Sequence, residues 1–181
     1  HKSNNAKRLI NSVQSQFSDL IQIIFNTIKG LNNDFEAGFY LFDEIENNYK
    51  LNKSTKDYFV DCFSTNNIIL NDLIKLKESK VLYQKDISDE WSNFFNDESM
   101  RGSECIIFQN LLFNDDTAGF IIIRSQHFSE INKKDKIIVK YISEILALFI
   151  KDLDILDRTI NQEDNKSQIF NLLTEIKLNY S

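Results

Sequence analysis

Proline is absent from the 181 residues, glycine occurs four times and cysteine twice. Turns must therefore be built from Asn, Asp, Ser and the few glycines. Two cysteines, Cys62 and Cys105, exclude a disulfide framework and a four-thiolate zinc site. Two histidines, His1 and His127, leave little for a histidine-based metal centre. Apolar runs are short, Phe120-Ile121-Ile122-Ile123 being typical. A spanning helix needs about 20 apolar residues, so no membrane segment is expected. Lys and Arg form no dense block, and acidic residues outnumber them 27 to 21. That balance argues against a phosphate-binding nucleic-acid surface, which needs clustered positive charge.

The remaining composition, 42% hydrophobic and 27% charged, is that of a globular chain. The length allows one domain with a helical extension. With few cysteines and no secretory leader, the expected compartment is the cytoplasm. Residues 1–5 are expected to be a cloning scar or the disordered edge of a fragment of a longer protein, residues 6–160 the domain, and 161–181 a helical extension toward an output domain.

Ile10, Val13, Phe17, Leu20, Ile24, Ile28 and Leu31 recur at steps of three and four, predicting a helix from about Ala6 to Lys29 with Gly30 as its stop. Glu36 to Phe42 and Tyr49 to Asn52 read as a strand hairpin. Lys56 to Phe63 fits either a helix or a strand. Asn67 to Lys77 predicts a short helix, Val81 to Tyr83 an extended piece, and Ser88 to Phe95 a brief capped helix. The strongest β signal is Cys105 to Phe113, a four-residue turn Asn114-Asp115-Asp116-Thr117, and a second strand from Ala118 to Ile123. Ser129, or Asn132 with Asp135 three residues on, caps a long amphipathic helix from about Lys133 to Thr159. Val139, Ile142, Leu146, Phe149, Leu153, Leu156 and Ile160 form a heptad seam within it. A polar break at Asn161 to Lys166 precedes a shorter helix carrying Ile169 to Ile176.

Several segments, in this order, match a known pattern. Ser103-Glu104-Cys105-Ile106-Ile107-Phe108 stands where one family has a long inner strand. Ala118 to Ile123 matches that family's Gly-containing strand. His127-Phe128-Ser129 with Asp135 opens the last helix, and Asp86 follows an extended segment. From Ala6 to Asp157 the chain resembles a GAF domain, the small-molecule sensory relative of the PAS fold. The resemblance implies an α+β architecture: an antiparallel sheet with the two long helices on one face and a helical and loop lid on the other. It departs from the family at Phe108, which replaces a proline, and in Lys53 to Met100, which matches nothing specific and would determine the ligand.

The resemblance places an aromatic-rich segment over the sheet. The expected pocket walls are Phe39, Leu41, Tyr58, Tyr83, Trp91, Phe94, Ile107 and Gln109, holding a small molecule of unknown identity. Val13, Phe17, Leu20 and Ile24, with Ile142, Leu146, Phe149, Leu153 and Leu156, are expected to pair in a homodimeric four-helix bundle that transmits the state of the pocket. The alternatives are a dimerisation scaffold without ligand and a thiol-dependent reductase of the same fold. No catalytic residue, metal or nucleotide signature is read. Cys105 is expected to be an inert core thiol, His127 a strand-end residue, and the doublets Asp115-Asp116 and Asp97-Glu98 solvated turns.

Overall fold

The computed structural model describes residues 2–97, 104–126 and 131–179. The chain divides into two compact units, one of Leu20–Leu148 and one of His1–Asp19 with Phe149–Ser181. In the larger unit six strands form one antiparallel sheet: β1 (Glu36–Asp43), β2 (Asn48–Ser54), β3 (Cys62–Ser64), β4 (Lys80–Tyr83), β5 (Cys105–Phe113) and β6 (Asp116–Ser125). Their order is β3-β2-β1-β6-β5-β4, which puts β1 and β6 at the centre and three- and four-residue strands at the two borders. The β5–β6 hairpin predicted from sequence is thus internal to the sheet.

Its turn is shorter than expected. Phe113 pairs directly with Asp116, leaving Asn114 and Asp115 as a two-residue loop at φ 48° and 68°. Two consecutive positive φ angles are what a type I′ turn requires, and Asn and Asp tolerate them better than other side chains. The β1–β2 turn closes differently: the Asp43 carboxylate accepts from the backbone N–H groups of Ile45 (2.9 Å) and Glu46 (3.0 Å).

The sheet separates two cores, because strand residues alternate between its faces. Phe39 pairs with Ile121 and Ile121 with Gln109, so these share one face. That face meets the helices: Gln109 lines a cleft with Lys140 and Ser143, and the Ser79 hydroxyl donates to Gln109 Oε1 and lies 3.3 Å from the Lys136 carbonyl. The covering residues Ile21, Ile24, Phe25 and Ile28 belong to α1 (Lys2–Leu31), and Val139, Leu146 and Ala147 to α3 (Lys133–Asn179); all are buried. The opposite face carries Tyr40, Ile106, Phe108, Phe120 and Ile122 beneath the lid.

The lid between β2 and β5 holds α2 (Ile68–Leu73) and short 3-10 turns at Gln84–Asp86 and Trp91–Asn93. Asn67 caps α2 by accepting from the Leu70 N–H at 3.0 Å. The ambiguous segment before it is β3 plus an isolated bridge between Phe59 and Phe95. Backbone bonds tie the lid together, Val60 N–H to the Phe94 carbonyl (3.2 Å) and Asn96 N–H to the Tyr58 carbonyl (2.6 Å).

Both long helices exceed their predicted spans. Asn132 opens α3 as a reciprocal cap: its Oδ1 accepts from Asp135 N–H at 3.0 Å and its own N–H donates to Asp135 Oδ2 at 3.3 Å. The polar break expected at Asn161 to Lys166 does not occur; α3 is continuous to Asn179. That stretch contains neither glycine nor proline, and polarity alone does not break a helix. In the smaller unit Phe17 stacks on Phe149 with centroids 5.5 Å apart and planes 11° from parallel. Among the described residues no helix is long and apolar enough to cross a membrane.

Candidate functional site

The lid face of the sheet is a continuous bed of rings. Tyr40 stacks on Phe120 at 5.0 Å, Phe108 lies 4.9 Å from Phe120, and Phe63 meets Tyr40 edge-on at 4.9 Å. The lid contributes Phe59, Trp91, Phe94 and Phe95, each about 1% exposed. Gly38 makes room for them: a Cβ there would stand 2.7 Å from the Phe59 ring. The Tyr40 hydroxyl donates to the Val60 carbonyl at 2.8 Å. Burial, together with the charges of Asp61 and Cys62, raises its pKa far above the ordinary phenol value.

Arg124 enters this apolar bed from β6, and it is 4% exposed. Its Nε and Nη2 donate to Glu104 Oε2 at 2.7 and 2.6 Å, and Nη1 donates to Asp97 Oδ1 at 2.9 Å. Three rings surround the guanidinium carbon: Tyr58 at 4.4 Å, Phe95 at 4.5 Å and Trp91 at 5.4 Å. Cation–π attraction is strongest where water is excluded, as here. Burial opposes the Arg124 charge, but the bonds to Asp97 and Glu104 outweigh it and its pKa rises. Glu104 is held in place by β5, whose next residue pairs with Ser125, while the Gln84 N–H donates to the Glu104 carbonyl at 3.0 Å.

The eight expected wall residues do not form one site. Tyr58, Trp91 and Phe94 come together in the lid. Phe39, Ile107 and Gln109 lie on the other face of the sheet, against the helices, because they have the opposite strand parity. Leu41 lines a groove of about 430 Å³ at the β1–β2 turn, and Gln109 lines a separate cleft of about 350 Å³. Tyr83, on the border strand β4, is 36% exposed and lies 5.9 Å from the Lys85 ammonium.

Sequence reasoning missed Arg124, and it placed Glu104 only in a strand motif and Asp97 only in a turn. Asp97 is not a solvated turn residue but a partner of a buried arginine, which corrects the reading of its doublet; Glu98 lies outside the described residues. Asp115 does sit in a turn, paired with Lys77 at 2.7 Å on the surface. His127 also lies outside the described residues.

The two thiols are far apart in the sheet. Cys62 is exposed on border strand β3, whereas Cys105 is buried on β5. Four strand spacings between those strands amount to roughly 19 Å. Burial, reinforced by the Glu104 charge, pushes the Cys105 thiol up to about 12, away from thiolate chemistry. No three His, Cys, Asp or Glu side chains converge among the described residues.

The seam residues are already engaged within one chain. Phe17, Ile24 and Leu146 are buried, Phe149 stacks on Phe17, and Val13, Leu20, Ile142 and Leu153 are half-buried. The Leu156 side chain lies outside the described set. Within the larger unit, α3 instead exposes Ile137, Tyr141, Ile145 and Leu148, at 44–61%.

No protein-family model and no curated protein matches the sequence. Solved structures do match. The GAF domain of an Acinetobacter phosphoenolpyruvate-protein phosphotransferase superposes with a TM-score of 0.64 at 12% identity, over 85% of this chain and 95% of that one. The GAF domain of a Bacillus halodurans two-component sensor histidine kinase gives 0.60 at 14% identity, over 76% and 95%. A type II free methionine-R-sulfoxide reductase from Thermoplasma acidophilum gives 0.58 at 15% identity, over 80% and 95%. At such identities the likeness concerns architecture, and with the strand order and the flanking helices it leads to one conclusion: this chain has a GAF-like fold.

Proposed function

We propose that the chain is the sensory, non-catalytic part of a larger cytoplasmic regulator, binding a small molecule under the lid and passing its state along α3 in a homodimer. The observation that carries this reading is α3 itself. From Phe149 to Asn179 it runs about 46 Å at 1.5 Å per residue, beyond what covering the sheet requires. That stretch exposes Ile169, Phe170, Leu172 and Leu173 at 58–69%. A helix that keeps a cluster of large apolar side chains in water is suited to a partner helix. In the larger unit, Ile137, Tyr141, Ile145 and Leu148 follow steps of four, four and three on the outer side of α3. The inner seam serves the fold of one chain, so the outer stripe is what remains for a second copy.

Sedimentation equilibrium tests this. The wild-type chain should be dimeric at micromolar concentration, and Ile145→Asp should be monomeric with an unchanged circular dichroism spectrum. A wild-type monomer at high micromolar concentration would refute the transmission mechanism.

The ligand-free scaffold is the second reading, favoured by the close packing of the lid face, where the rings and Arg124 fill the space. A thermal-shift screen separates the two, since a molecule that binds only the native state raises Tm. The reductase reading finds little support in Cys105, whose thiol is buried and hard to ionise.

A further inference from the structure

We propose that the Arg124 cage is a receptor for a small organic carboxylate and that Asp97 is its built-in stand-in. The proposal rests on the reading that the lid face takes a small molecule, and it names the class. Glu104 alone, 2% exposed and bonded to both Nε and Nη2, neutralises the guanidinium. Asp97 adds a second carboxylate to the same cation. A structural ion pair gains little from such an excess, because each buried charge carries a desolvation penalty.

The two carboxylates differ in access. Glu104 is sealed in, whereas the Asp97 side chain is 28% exposed, so Nη1 is the edge of the guanidinium that faces the surface. Tyr58, Phe95 and Trp91 close around the guanidinium carbon at 4.4, 4.5 and 5.4 Å. An incoming group must then approach from the Asp97 side and accept hydrogen bonds, which is the chemistry of a carboxylate.

A second observation points the same way. The Trp91 Nε1 donor is buried and meets no acceptor among the described residues, although its ring stands over the same guanidinium. A buried donor without an acceptor is costly. A carboxylate that replaces Asp97 supplies one oxygen to Nη1 and has a second to offer the indole. Charge is conserved in the exchange, since one carboxylate leaves for water as another enters. Affinity is then set by competition: if Asp97 occupies Nη1 for about nine-tenths of the time, free carboxylates bind about tenfold more weakly than to an emptied cage.

Trp91 is the only tryptophan, so its fluorescence reports directly on the cage. The full chain and its Asp97→Ala variant are titrated with acetate and benzoate, and with acetamide, choline and inorganic phosphate, at constant ionic strength. Tm is measured alongside. Acetate or benzoate should give a saturable change in both proteins, about tenfold tighter in Asp97→Ala, and should restore the Tm lost by the substitution. Acetamide and choline should do neither. Equal carboxylate affinity in the two proteins, or an equal response to acetamide, overturns the stand-in role. A response to phosphate, choline or acetamide without one to carboxylates refutes the class while leaving a ligand-binding domain. Silence toward every probe in both proteins, together with a flat broad thermal-shift screen, refutes the ligand reading as well. If Asp97→Ala fails to fold, the wild-type comparison of acetate with acetamide decides the matter.

Discussion

Arg124 is the residue on which the lid face depends most. Replacing it by Met leaves Glu104 buried without its cation, and breaking such a pair costs about 3–5 kcal/mol. Arg124→Met should therefore lower denaturant stability by that amount. Adding Glu104→Gln should recover much of it, because the orphan charge is gone; urea unfolding of both variants checks this, and a double variant no better than the single one would refute the account. Cys105 has a consequence at high pH. Its thiol ionises near the ordinary value when the chain is unfolded but only at about 12 in the fold. The unfolded state therefore binds fewer protons between about pH 9 and 12, so the stabilisation is complete below that window and is lost as pH rises through it. The stability difference between wild type and Cys105→Ala should shrink or reverse over that range by up to about 1.4 kcal/mol per pH unit, and stay flat below pH 8. Neither Arg124 nor Asp97 was legible as a site in the sequence. Their juxtaposition is made by the β5–β6 register and the lid, and no local pattern encodes it. The aromatics Tyr58, Trp91 and Phe94 were legible because large rings in a polar stretch need somewhere to go.

At the level of elements, the sequence was clearest where a local bond terminates a helix or a strand. The Asn132–Asp135 cap is such a case, since both partners lie within one turn. Asn132→Ala removes the acceptor for the Asp135 N–H and should lower stability by about 1 kcal/mol, whereas Asn132→Ser should lose only a fraction of it; thermal unfolding of both distinguishes a cap from general surface effects. The hairpin Cys105 to Ile123 was legible in its strands but not in its turn, because composition shows that Asn-Asp-Asp-Thr can turn without showing which residues take positive φ. Strand faces were the larger difficulty. A period of two sorts residues into two sets, yet it does not say which set meets the helices. Phe39, Ile107 and Gln109 thus entered the expected pocket from the wrong parity. Gly119 fixes β1 against β6 in a way that only coordinates reveal: a Cβ at that position would lie 2.1 Å from the Tyr40 carbonyl oxygen.

For the molecule as a whole, the overall order of helices and strands was readable because amphipathic periods of 3.6 and 2 are carried by separate stretches of chain. The division into two units was not, since both α1 and α3 belong to both units and the polar stretch of α3 reads as a break. The order of strands adds a constraint on assembly. Both borders of the sheet are closed by strands of three and four residues, β3 and β4. Such stubs offer an approaching backbone almost no ladder to extend. Growth by strand addition, the usual path to fibrils, is therefore blocked at both ends, and concentrated solutions of this protein should associate side by side through helices, without a cross-β signature.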